Sequence, residues 1–273
     1  MSEPPAPLTV CLVQPVVVAQ NIDKNLAHMT DLINSMVHAR HIDLIVLPEM
    51  FNCGFTSQPT PVAESPVDGK SLRWMKTISK EKKVAVVGSI VVEENMKYYN
   101  RLFFVTPEGD VSSYDKKHLF TMGDEALHFT PGNHKTIVNY KGWKINFAIC
   151  YDIRFPVWLR NDKKDPYDIL IVVAAWSSDK RHHWMSLTTA RAIENSAYLL
   201  AANNCGVLPD SVPGKPDLVF TGDCRILDPF GIPIKEALPG VEQLIYATLD
   251  YEELHLWRNH FPVLNDEDDF KLL

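Results

Sequence analysis

Three apolar runs in this 273-residue chain each stop at a side chain suited to acyl chemistry: Glu49 after L-I-V-L-P, Lys116 after Y-D, and Cys150 after F-A-I. A free cysteine is usually a small buried hydrophobe, so a lone thiol says little. A thiol where a buried strand ends and the chain turns is held rigidly and stays reachable, which is where an α/β protein puts a nucleophile. The thiolate is the attacking species, so Cys150 needs a base or a nearby cation. A carboxylate can take the thiol proton and later return it to a leaving amine, provided partial burial keeps its pKa high enough. A lysine held beside carboxylates stays protonated and can stabilise a tetrahedral oxyanion. Removing one such donor typically costs on the order of 10²–10³ in rate.

Each residue also has a plainer reading. Glu49 can be a surface acid at a strand end. Lys116 can be a solvated lysine in a charged turn, as its neighbour Lys117 is expected to be. His118 can serve as the base of a Cys/His pair or as a structural histidine beside the lysine loop. His182 and His183 invite a metal reading, but adjacent residues do not share a helix face and no third ligand is evident.

The elements that must carry these residues follow from periodicity. Strands are expected at residues 8–13, 43–48, 84–92 and 99–106, and at 167–175, 198–203, 222–228 and 244–249. A hairpin around 140–142 joins 135–139 to 143–149 and feeds Cys150. Helices are expected at 21–41, with Leu26, Met29, Leu32, Ile33 and Val37 on one face, at 71–82, and at 183–197, with Met185, Leu187, Ala190 and Ile193 inward. A further helix is expected to start over 157–162. The stretch 206–217 carries three prolines and reads as an active-site or interface loop. The tail from 251 is mixed and polar, with Trp257 and Phe261 as anchors. Strands alternating with helices, without linker or repeat, argue for a layered α/β protein in one domain over 1–273.

Composition narrows the class. A net charge of −7 and a pI near 5.8 give no basic patch, so nucleic acid is not an expected partner. Five scattered cysteines without a C-x-x-C or Cys/His cluster predict no zinc site and fit reduced thiols. No apolar run approaches a membrane span. The first residues lack a positive flank and an apolar h-region, so the expected location is the cytoplasm.

The motifs L-P-E-M-F at 47–51, Y-D-K-K-H-L-F at 114–120 and A-I-C-Y-D-I-R-F-P at 148–156 together resemble the three signature blocks of the nitrilase superfamily, the carbon–nitrogen hydrolases. They occur in the family's order and at about its spacing, within a resemblance running from residue 10 to about 262. The resemblance implies a Glu-Lys-Cys triad of Glu49 as base, Lys116 and Cys150. It also implies a further catalytic glutamate at Glu125 in G-D-E-A-L-H-F-T-P-G, which otherwise reads as a loop acid. The backbone N–H of Tyr151 would be a second oxyanion donor. The implied fold is a four-layer α-β-β-α sandwich that pairs across a twofold into a homodimer or larger assembly. No cofactor and no metal are implied.

The run C-Y-D-I-R-F-P-V-W-L-R-N, then A-A-W-S at 174–177, T-A-R-A-I-E-N at 189–195 and F-P-V-L-N-D-E-D-D-F at 261–270, is similar to the omega-amidase-like branch. That branch hydrolyses the terminal amide of small keto-acid monoamides such as 2-oxoglutaramate. A substrate with a carboxylate away from its amide calls for a cation in the pocket, and Arg154 and Arg181 are the candidates. Arg154 can equally be a salt bridge to Asp152 in the loop after the nucleophile. Trp176, just past a strand end, can wall the pocket or simply pack. Alternatives stay open: an amidase or carbamoylase acting on another small linear amide, a non-catalytic interaction module on the same fold, or a metallohydrolase. Nitrile hydrolysis fits less well, because that branch usually carries Cys-Trp-Glu where this chain has Cys150-Tyr151-Asp152.

Overall fold

The apolar runs become the parallel centres of two sheets. The computed structural model describes residues 4–36, 41–210, 212 and 214–268. The first sheet begins with β1 (Leu8–Gln14), β2 (Leu44–Val46), β3 (Ala85–Glu94), β4 (Lys97–Val105) and β5 (Val111–Asp115). The second begins with β6 (Ile137–Tyr140), β7 (Trp143–Ile149), β8 (Ile169–Ala174) and β9 (Tyr198–Asn203). A separate hairpin follows, β10 (Cys205–Leu208) and β11 (Leu218–Thr221), before β12 (Arg225–Leu227) and β13 (Pro233–Glu236) complete the second sheet. Finally β14 (Gln243–Leu249) returns to pair with β1.

The sheet orders are β14-β1-β2-β3-β4-β5 and β13-β12-β9-β8-β7-β6. In each, the middle strands are parallel, β1/β2/β3 in one and β7/β8/β9 in the other. Parallel neighbours need a crossover. In the first sheet α1 (Ile22–Met36) and α2 (Lys70–Lys82) supply it. The short α3 (Glu125–His128) and α4 (Pro156–Leu159) sit in loops, α5 (Arg181–Asn195) links β8 to β9, and α6 (Tyr251–His260) follows β14.

Strand alternation sorts the side chains into layers. Leu8, Val10 and Leu12 of β1 join a core with residues of the second sheet such as Phe147 and Ile149. Cys11 and Val13 point the other way, into a core with Leu26, Met29 and Ile33 of α1 and Leu72, Met75 and Ile78 of α2. Trp184 and Ala192 of α5 and Leu254 of α6 pack on the second sheet. The order is α-β-β-α.

The expected first helix is present over Ile22–Met36, and its expected continuation through 37–40, Val37 included, lies outside the described residues. Other elements depart from expectation. The expected helix over 157–162 is the single turn α4. The stretch 206–217 includes most of β10 and leads into β11, with 211 and 213 outside the described residues. The tail holds α6, and its last motif residues, 269 and 270, also lie outside them.

The inner face of α5 is rotated from the expected one. Trp184, Thr188, Arg191, Ala192 and Asn195 are buried, while Ile193 is 49% exposed. The buried polar groups are paired: Arg191 Nε donates to Ile153 O at 2.9 Å, and Asn195 Oδ1 accepts from Asn161 N at 2.8 Å. Once hydrogen-bonded, polar side chains can face inward, and hydrophobicity alone then selects the wrong face.

Candidate active site

Strand direction brings the chemistry to one edge. β4 is antiparallel to both β3 and β5, so β5 runs with β2, and Glu49 and Lys116 leave the first sheet at the same end. Cys150 leaves the second sheet directly after β7. Cys150 has φ 47°, Met50 beside Glu49 has φ 48°, and Asp124 beside Glu125 has φ 64°. Left-handed backbone costs a non-glycine residue about 1–3 kcal/mol and persists where its surroundings over-determine it. Strain at or beside three of the four side chains is thus part of the local architecture.

Lys116, and not Lys117, points inward. Its ammonium lies 2.9 Å from Glu49 Oε1, 3.0 Å from Glu125 Oε1 and 2.7 Å from Glu125 Oε2, and all three side chains are fully buried. Lys117 instead reaches over the Trp158 ring. Glu49 Oε2 accepts from the Ala175 N–H at 2.8 Å, and Glu125 Oε2 accepts from the Phe120 N–H at 2.7 Å. Asn100 donates to Glu49 Oε1 at 2.7 Å.

The charges follow from these contacts. Burial alone would lower the Lys116 pKa, but Glu125 and Glu49 outweigh it and hold the ammonium above its ordinary value. Burial, reinforced by Glu49 and opposed by Lys116, raises Glu125. Burial and then the Glu49 charge push the Cys150 thiol well above its usual range. At rest Cys150 is therefore a neutral thiol, and its proton needs an acceptor.

Asp152 holds the turn that carries Cys150. Its carboxylate accepts from the Ile149 N–H at 3.0 Å, the Tyr114 hydroxyl at 2.8 Å, and both the backbone N–H and Nδ1 of His118 at 2.8 Å. The His118 ring stacks on Phe155 at 3.7 Å. His118 thus fits the structural reading, tied to Asp152. Arg154 does not pair with Asp152. Its guanidinium lies 4.7 Å over the Trp176 ring and 3.1 Å from His183 Nδ1.

Cys150, 9% exposed, opens onto a cavity of about 60 Å³. Its walls include Phe55, Phe120, Tyr151, Trp176 and Phe220, with Arg154 and Lys180 as cations beside Lys116. It shares Phe55, Phe120, Ser177 and Lys180 with an outer cleft of about 480 Å³ that reaches Asp210 and Lys215.

Residues 9–259 match the carbon-nitrogen hydrolase family. This chain belongs to that family. The carbon-nitrogen hydrolase is 38% identical over 230 residues to the omega-amidase YafV of Escherichia coli, covering 84% of this chain and 86% of that one. It is 34% identical over 233 residues to the 2-oxoglutaramate amidase of Bacillus subtilis, with the same coverage of 84% and 86%. It superposes with a TM-score of 0.91 at 34% identity on a Xanthomonas campestris CN-hydrolase superfamily protein, covering 98% of this chain and 99% of that one. That crystal structure carries an arsenic adduct in its active site.

Arg181 of this hydrolase is not where the sequence reading put it. It forms a bidentate pair with Asp223, at 2.9 and 2.7 Å, and lines a different cavity with Met185 and Cys224. The cation at the mouth is its neighbour Lys180, whose backbone carbonyl accepts from Trp176 Nε1 at 2.8 Å. A helix that starts at Arg181 turns successive side chains by about 100°, so one position decides which residue faces the cleft. Asn100 was also missed, because an asparagine inside a strand carries no motif signal. Among the described residues no group of three or more His, Cys, Asp or Glu is arranged to hold a metal ion, and no helix is long and apolar enough to cross a membrane.

Proposed function

We propose that this hydrolase is a Glu-Lys-Cys amidohydrolase that cleaves the terminal amide of a small carboxylate-bearing substrate such as 2-oxoglutaramate. The observation that carries the reading is the Lys116 ammonium bracketed by Glu49 and Glu125 at the cavity onto which Cys150 opens. Glu49 takes the Cys150 proton as sulfur attacks the amide carbon. Lys116 and the Tyr151 N–H, in the first turn of a helical segment where such groups lack an intrahelical partner, receive the oxyanion. Glu49 then passes the proton to the leaving nitrogen, ammonia departs, and a thioester remains on Cys150. Glu49 next takes a proton from water, the hydroxide attacks the thioester, and the thiolate leaves and is reprotonated as the acid is released. Glu125 holds Lys116 charged throughout.

Arg154 and Lys180 support the carboxylate preference, as do the omega-amidase and 2-oxoglutaramate amidase relatives. The pairing of Lys180 with Asp179 at 2.5 Å, and the apolar walls, favour a second reading: a small uncharged linear amide. The test is ammonia release from 2-oxoglutaramate and from butyramide, by wild type and Cys150→Ala. Turnover of 2-oxoglutaramate that disappears in Cys150→Ala supports the first reading. Thiol-dependent turnover of butyramide alone supports the second, and turnover of neither overturns both.

A further inference from the structure

Asn100, fully buried in β4, takes no part in the steps above, yet its carboxamide sits among the charges. Its Nδ2 lies 2.7 Å from Glu49 Oε1 and 3.4 Å from Glu125 Oε1. Its Oδ1 is buried with no hydrogen-bond partner among the described residues. An unpaired buried acceptor is destabilising and uncommon. Turning the amide over would bring Oδ1 against two carboxylate oxygens, so the orientation that leaves Oδ1 bare is the one electrostatics selects.

An ammonium has three protons. Those of Lys116 face three carboxylate oxygens, Glu49 Oε1, Glu125 Oε1 and Glu125 Oε2. To donate to an oxyanion, Lys116 must release one of them. Asn100 Nδ2 faces two of the same three oxygens. We propose that Asn100 is a positioning residue: it keeps Glu49 Oε1 and Glu125 Oε1 hydrogen-bonded while Lys116 turns toward the substrate, so that no carboxylate oxygen is left bare in a dry interior. A neutral donor does this without adding charge to a cluster of one cation and two carboxylates. The groups that face Glu49 are Lys116 from the end of β5, Glu125 from α3 and Cys150 from the end of β7. The catalytic meaning of this inference rests on the proposed acyl transfer, but the placement of Asn100 on Glu49 does not.

The test uses Asn100→Leu, close in shape but without donors, and Asn100→Ser, which keeps a hydroxyl. Thermal unfolding checks the fold. Asn100→Leu is expected to lower kcat by about 10² with KM within a few-fold, and Asn100→Ser to recover part of the loss. Glu49 Oε1 loses one of the two donors that hold it, so Asn100→Leu is also expected to slow alkylation of Cys150 by iodoacetamide several-fold near neutral pH. That rate is read without substrate, by mass spectrometry, and Asn100→Ser should recover part of it. A folded Asn100→Leu with an unchanged alkylation rate overturns the inference, and if that variant does not fold, the rate in Asn100→Ser decides. A rate that falls while wild type hydrolyses no amide keeps the positioning of Glu49 and discards the proposed reaction.

Discussion

Glu49 and Ala175 join the two sheets: the Ala175 N–H donates to Glu49 Oε2 at 2.8 Å, while the Glu49 N–H donates to Ala174 O at 3.3 Å. Asn204 Nδ2 adds a third contact, to Glu49 O at 3.3 Å. The carboxylate is thus registered against the second sheet, which carries Cys150, although it belongs to the first.

Glu49→Gln should therefore be severe. An amide at this position cannot accept from Asn100, Lys116 and Ala175 at once, and it is a poor proton acceptor. The expected loss in kcat is about 10²–10⁴, with slower alkylation of Cys150 near neutral pH. Steady-state ammonia release and the mapped alkylation rate measure the two effects. A variant within a few-fold of wild type in both would remove Glu49 from the role of base.

Lys116→Met should invert the ordinary pH dependence of stability. It leaves two buried carboxylates without their cation, a loss of about 3–5 kcal/mol near neutral pH. Burial already raises Glu125 in the wild type, and losing Lys116 raises it further. A carboxyl whose folded pKa lies above its unfolded value contributes most below the unfolded value, and that contribution is lost as pH rises through the folded one. The urea midpoint of Lys116→Met should thus be higher at pH 5 than at pH 8. A higher midpoint at pH 8 would contradict the bracketed geometry.

The cation assignment separates three residues. Arg154→Ala and Lys180→Met should each raise KM for 2-oxoglutaramate by about tenfold, the scale of one charge-assisted contact, and leave butyramide kinetics nearly unchanged. Arg181→Ala should leave KM within about twofold. Its pair with Asp223 is 44% exposed on the arginine side and contributes at most about 1 kcal/mol. Equal effects on both amides would mean that the cations shape the pocket rather than read charge.

Asp152→Ala should act on the fold first. It strands the Tyr114 hydroxyl and the N–H groups of Ile149 and His118, and each buried unpaired group costs about 1–3 kcal/mol. Denaturant unfolding should show a loss of several kcal/mol. A change below about 1 kcal/mol would show that the turn under Cys150 does not depend on this carboxylate.

Alkaline pH should unfold the protein through its buried thiols. Burial pushes Cys11 up from 9.0 to about 12, against a smaller opposing effect of the Tyr246 hydrogen bond. The raised folded pKa means that the contribution is complete below pH 9 and is lost as pH rises toward 12. At pH 10 one such group has lost about 1.4 kcal/mol. Cys11→Ala should lower stability at pH 7 by leaving a cavity, yet lose less between pH 8 and 10.5. Parallel stability curves would remove Cys11 as a source of the alkaline limb.

Much of this protein could be read from its residues in order. Continuous apolar runs marked the central strands because a strand covered on both faces has no polar positions to alternate with. Glu49, Lys116 and Cys150 were visible because each closes such a run or a recognisable block, and the resemblance supplied Glu125. The sequence by itself determined the family, the strand centres and the chemical types at the site. Tertiary structure decided what lies across from what. Arg181 faces Asp223 and Lys180 faces the cleft because of where a helix begins. Asp152 turned to Tyr114 and His118 rather than Arg154, and Asn100 came to lie between two carboxylates, through contacts between elements far apart in the chain. Motif spacing records local geometry and residue type. The orientation of a polar side chain is set by which buried partners remain to be satisfied once the sheets have packed.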